Sequence, residues 1–154
     1  MKRKLIFVIV FGLMLSLLLV GVAQAESAGC YAVSGEIDQV WVGTGFSGTL
    51  SGDLEGTFAA VGGFPMVYHG VVLMRPVEQT WEVTGGIIEE LIGETLVFDV
   101  DFVGTYNKPD LLSINNTLRV VEGAQKGNLT QHGWTELLPP LFTNHLDYHG
   151  VICP

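Results

Sequence analysis

Residues 46–60 read FSGTLSGDLEGTFAA, and at a period of two they separate into an apolar and a polar face. Phe46, Gly48, Leu50, Gly52, Leu54, Gly56, Phe58 and Ala60 fall on one side; Ser47, Thr49, Ser51, Asp53, Glu55 and Thr57, with Ala59, fall on the other. Successive side chains alternate across a strand, so the pattern predicts a sheet with one buried face. A helix is disfavoured, because each interior glycine costs it about 1 kcal/mol relative to alanine. The buried face alternates large residues with small ones, which suits a small barrel whose interior tapers and whose strands bend sharply. At about 3.3 Å per residue the stretch would extend to roughly 50 Å, too long for one flat strand. A hairpin at Ser51-Gly52-Asp53, or a strongly coiled strand bent at its glycines, resolves this.

The remaining chain has the same character. Residues 35–42 (GEIDQVWV), 66–75 (MVYHGVVLMR, ended by Pro76), 78–84 (EQTWEVT), 94–103 (ETLVFDVDFV), 118–121, 127–131 and 146–152 read as strands. Gly62-Gly63-Phe64-Pro65 and Asn107-Lys108-Pro109-Asp110 read as turns, while residues 87–92 fit a helical turn, a short strand or a loop. About eight short strands with glycine-rich connections predict an all-β, antiparallel domain, a closed barrel with a β-sandwich as the alternative. The segments Tyr68-His69-Gly70-Val71-Val72 and Tyr148-His149-Gly150-Val151-Ile152 echo one another, but an echo this short does not establish a repeat.

Lys2, Arg3 and Lys4, an apolar run over residues 5–22 and Ala23-Gln24-Ala25 have the order of a secretory signal peptide. Residues 1–25 are therefore read as a leader, with an uncleaved anchor as the rival, and residues 26–154 as one domain. That domain has four basic and sixteen acidic residues, a net charge of −12, which repels nucleic acid and anionic membranes and keeps an exported protein soluble. Cys30 and Cys153 are the only cysteines and stand at the two ends of the domain. In an oxidising compartment they pair most simply with each other, which would make the first and last strands neighbours, as barrel closure requires. Acylation of Cys30 ranks second, because Ser27-Ala28-Gly29 lacks the usual upstream leucine-like residue.

At Phe46-Ser47-Gly48, Asp53-Leu54-Glu55-Gly56-Thr57 and Leu146-Asp147-Tyr148 the chain resembles small bacterial exported barrels related in fold to the allene oxide cyclases and dirigent proteins. Val83-Thr84-Gly85 would be the middle turn of that pattern, and Gly123, Gly127 and Gly133 its late glycines. Gln125-Lys126 and the long insertion before the last strand depart from it. The resemblance implies an eight-stranded barrel with an apolar central cavity. It carries over no catalytic residue.

Signatures for serine hydrolases, zinc proteases, P-loops and C-x-x-C redox sites are absent from the sequence. His69, His132, His145 and His149 have no spacing that dictates a metal site, and none is expected; nor is a cofactor. Asp99 and Asp101, with Glu82, read as a solvated strand face rather than a calcium or acid–base cluster. Asn115 and Asn128 begin glycosylation sequons. Residues 133–144 (GWTELLPPLFTN) are too apolar for an ordinary exposed loop and predict a segment folded across one end of the barrel, as a plug or as a lid over an apolar pocket. These features predict an exported barrel binding a small hydrophobic molecule through Trp41, Tyr68, Trp81, Trp134, Leu138 and Phe142. The alternatives are a cofactor-free isomerase or cyclase with ionisable groups at the barrel mouth, and a filled barrel acting through its surface.

Overall fold

The computed structural model describes residues 29–42, 45–62, 64–108, 111–136 and 143–154. Residues 1–28, which include the expected leader, and Leu138 and Phe142 lie outside them. Nine strands follow in chain order: β1 (Tyr31–Val42), β2 (Gly45–Gly52), β3 (Leu54–Val61), β4 (Phe64–Tyr68), β5 (Val71–Gly86), β6 (Thr95–Lys108), β7 (Leu111–Glu122), β8 (Lys126–Glu136) and β9 (Thr143–Cys153). All pairings are antiparallel, in the order β3-β2-β1-β9-β8-β7-β6-β5-β4, and an additional β3–β5 ladder closes the ring. The result is a closed barrel of eight strands, with β4 prolonging β3 along β5. A ring of this size encloses just enough space for its own side chains.

The 46–60 pattern folds as the hairpin that its length demanded. Asp53 turns the chain between β2 and β3, and Leu50, Leu54, Phe58 and Ala60 are buried on the inner face. The corner is fastened from both sides of the wall. The Ser34 backbone N–H and hydroxyl both donate to Asp53 Oδ2, at 2.8 and 3.0 Å, and the Asp53 N–H donates to the Ser34 carbonyl. From within, the Leu54 N–H donates to the Tyr148 hydroxyl at 3.1 Å, and the same hydroxyl donates to the Leu54 carbonyl at 3.2 Å. Burial pushes the Tyr148 phenol up to about 12, against a lowering from its Leu54 backbone bond and with a further rise from Asp53, so it remains a donor. The glycines make room for neighbouring side chains at some positions, as Gly35 does for Tyr148 and Gly104 for Leu112, and for neighbouring backbone at others. A Cβ on Gly48 would stand 1.9 Å from the Asp38 carbonyl oxygen, and one on Gly133 2.0 Å from that of His145, so glycine here lets adjacent strands cross closely at the bends.

One expected turn and one expected strand end are displaced. Residues 62–65 do not reverse the chain: Val61 pairs with Glu78 and Phe64 with Arg75, so β3 and β4 continue in one register against β5. The reversal lies instead inside the predicted strand 66–75, at His69-Gly70, where φ values of 48° and 79° form the two-residue turn that matches strand twist. Pro76 does not end β5, because the register shifts between Met74 and Val77 and a bulge needs no ladder N–H from proline.

At one end of the barrel the 87–94 segment folds inward around a single 3-10 turn, Glu89–Leu91, and buries Ile88 and Leu91. The Tyr31 hydroxyl donates to Glu90 Oε1 at 3.1 Å and ties this plug to β1. The Cys30–Cys153 disulfide stands at the same end, as expected from the sequence, and staples the seam where β1 pairs with β9. Trp81, Phe98, Tyr148, Ile37, Leu54, Leu96, Leu118 and Leu146 fill the lower interior with almost no exposure. At the opposite, upper end the strands are joined by residues 43–44, 109–110 and 137–142, which lie outside the described residues.

Candidate functional site

Above this apolar layer the inward positions change chemistry. Gln39 on β1, Gln79 on β5, Asn116 on β7, Gln131 and Thr135 on β8 and Asn144 on β9 are all buried. Strand register gathers them: Gln39 lies opposite Asn144, Asn144 opposite Thr135, and Asn116 opposite Gln131. Each occupies an inward position that an alternating strand would ordinarily give to an apolar residue.

The orientation of the amides is dictated from below. The Trp81 indole is a donor only, and its Nε1 donates to Gln79 Oε1 at 3.3 Å. Gln79 must therefore present its nitrogen to Gln131, and the two amides bond reciprocally, Gln79 Nε2 to Gln131 Oε1 at 3.0 Å and Gln131 Nε2 to Gln79 Oε1 at 2.9 Å. Gln131 Oε1 also accepts from Asn116 Nδ2 at 2.9 Å. Reversing Asn116 would set two oxygens against each other, so its Oδ1 must face away from the network. Among the described residues that atom has no partner, and neither do Gln39 Oε1 and Asn144 Oδ1. Their residues are 4 %, 6 % and 4 % exposed respectively. A buried polar atom without a partner costs about 1–3 kcal/mol. Three in one barrel require a reason.

All three residues line a single internal cavity of about 20 Å³, whose other walls include Phe46, Phe58, Phe102, Ile114 and Leu146. A space of this size admits one water or one small polar group. One water supplies two donors, whereas a primary ammonium supplies three. The cavity therefore combines an aromatic and aliphatic wall with a set of acceptors that favours a donor. It holds no acid, base or nucleophile among its described lining residues. A wider open depression of about 260 Å³ on the outer wall is bordered by Asp38, Val40, Thr49 and Thr143.

Of the six residues expected to bind a ligand, two meet this site indirectly. Trp41 stands at the rim, edge-on to Phe46 with ring centroids 4.8 Å apart. Trp81 lies wholly buried beneath the cavity and sets its polarity. Tyr68 is 74 % exposed on β4. Trp134 belongs to β8 rather than to a loop, and its 41 % exposed ring lies near His145 on the outer face. Leu138 and Phe142 lie outside the described residues, and the two ends of the expected capping segment 133–144 belong to strands, because β8 runs to Glu136 and β9 begins at Thr143. Polarity alone assigns a Gln or Asn to the outer face of a strand; the signal of the amide layer is such a residue at an inward position, as in Val33, Gly35, Ile37, Gln39.

The acidic strand residues lie on the outer wall. Arg119 pairs with Asp101 at 3.3 Å, and Thr57 donates to Glu82 at 3.1 Å. The histidines divide between a turn and that wall. His69 is in the hairpin, His132 and His149 stack at 5.6 Å, and His145 Nδ1 lies 2.8 Å from Asp38 Oδ1. The bond to Asp38 raises the His145 pKa above its ordinary value, against a lowering by burial; the Asp38, Glu36 and Asp147 charges add to the rise.

No protein-family model matches the chain, and no match was found among curated proteins or solved structures.

Proposed function

We propose that this is an exported barrel protein whose upper interior takes the donor head group of a small amphiphile among the amides, while the apolar body extends out of the cavity along Phe46 and Trp41 at the rim. The observation that carries the reading is the trio of unpartnered acceptors, Gln39 Oε1, Asn116 Oδ1 and Asn144 Oδ1, around one cavity. It narrows the hydrophobic ligand expected from sequence to one bearing a primary ammonium or hydroxyl. The acidic exterior favours the cation by raising its local concentration. The disulfide and the leader-like first residues support export, and among the described residues no helix is long and apolar enough to cross a membrane. The eight-stranded ring supports kinship with the allene oxide cyclase and dirigent barrels as part of the same proposal. The isomerase alternative gains no support from the described cavity wall, which holds no ionisable group.

Thermal shift and calorimetric titration with hexylammonium, hexanol and hexanoate test the reading. The order expected is hexylammonium, then hexanol, with hexanoate inert. Asn144→Leu removes an unpartnered buried oxygen, so the ligand-free protein should be unchanged or stabilised by up to about 1–2 kcal/mol while its response to hexylammonium disappears. Equal binding of hexanoate, or no response to any probe, would exclude the site. The filled-barrel reading would then stand, supported by the packed lower interior and by exposed Met66, Val67 and Tyr68 on β4.

A further inference from the structure

On the outer wall, β1 and β9 place Glu36 directly opposite Asp147, and Asp38 directly opposite His145. Like charges facing across a ladder destabilise it, and among the described residues neither the Glu36 nor the Asp147 carboxylate has a hydrogen bond or a Lys or Arg ion pair. A Glu36 oxygen, an Asp147 oxygen and a ring nitrogen of His145 lie within 4.8 Å of one another. Asp38 occupies His145 Nδ1, which leaves the lone pair of the neutral ring on Nε2. A carboxylate that fixes the tautomer and orientation of a histidine is the usual support of a metal ligand.

We infer that Glu36, His145 and Asp147 form a divalent transition-metal site on the barrel wall, with Asp38 as the positioning residue. One imidazole and two carboxylates suit Zn²⁺ or Cu²⁺, with water completing the coordination. Tetrahedral bond lengths of about 2.0–2.2 Å place ligand atoms about 3.4 Å apart, so the site closes by small rotations of the exposed Glu36 and Asp147 side chains. The metal would neutralise the facing carboxylates, and two paired strands hold the ligands at fixed register. The amide cavity takes no part in this.

Calorimetry of the chelator-stripped protein with Zn²⁺ should show one saturable site per chain. The double variant Glu36→Gln/Asp147→Asn and the single variant His145→Gln should abolish it, whereas Asp38→Asn, which leaves all three ligands in place, should weaken it about 10–100-fold. Cu²⁺ added in one equivalent should give an electron paramagnetic resonance spectrum with coupling to one imidazole nitrogen, lost in His145→Gln and kept in His132→Gln. Circular dichroism melts verify that each variant is folded. Absence of saturable binding, insensitivity to the carboxylate variants, or loss of the nitrogen coupling in His132→Gln instead of His145→Gln would overturn the assignment.

Discussion

Trp81→Ala is expected to destabilise the barrel by about 3–5 kcal/mol, the range for deleting a fully buried tryptophan. The side chain has no exposure and its ring packs against Phe98 and Tyr148, with centroids 4.7 and 5.1 Å away. Urea unfolding followed by circular dichroism measures the loss as a fall in midpoint at constant slope. A second consequence separates this residue from an ordinary core aromatic. Trp81→Phe keeps most of the ring volume but removes the donor that orients Gln79, so its stability loss should be smaller while its affinity for a donor-headed ligand still falls. An equal fall of stability and no change of affinity would show that the indole N–H does not set the polarity of the layer.

Removing the disulfide with Cys30→Ser/Cys153→Ser should cost about 2–5 kcal/mol, near the upper figure if loop entropy acts in full, because the bridge spans 123 residues of sequence. For a domain of this size that corresponds to a fall in Tm of about 10–20 °C. The effect should be local as well as global. The bridge stands at the end of the seam where Tyr31 pairs with Ile152. Hydrogen exchange should therefore rise first in Tyr31–Val33 and their partners on β9, and less around the β3–β5 seam. Uniform acceleration around the ring would mean that the bridge acts only through the unfolded chain.

The walls of the barrel were legible in the sequence because strand alternation is a local property. Residues 46–60 and 94–103 carry their inward sets, Leu50, Leu54, Phe58 and Leu96, Phe98, Val100, Phe102, at a strict period of two. The terminal cysteines added one long-range fact. What stayed hidden depends on context. Glycine and proline at 62–65 have turn composition, yet β3 and β4 on either side pair with β5 in one register. His69-Gly70 carries a weak turn signal, since a histidine with positive φ is uncommon. The amide layer needs the closed ring to bring Gln39, Asn116 and Asn144 to one cavity, and the wall cluster needs the β1–β9 register to set Glu36 against Asp147. Neither can be read from spacing within one strand.

The orientation chain from Trp81 through Gln79 and Gln131 to Asn116 has a direct spectroscopic readout. A two-dimensional ¹H–¹⁵N spectrum resolves the side-chain amide groups of Gln39, Asn116 and Asn144, and titration with hexylammonium reads them individually. Saturable shifts of all three with one common midpoint, and little change at outer-face signals such as His132 and Trp134, are the result expected if the unpartnered oxygens hold the ligand's donors. Unmoved amide signals, or shifts confined to the outer face, would contradict the binding site.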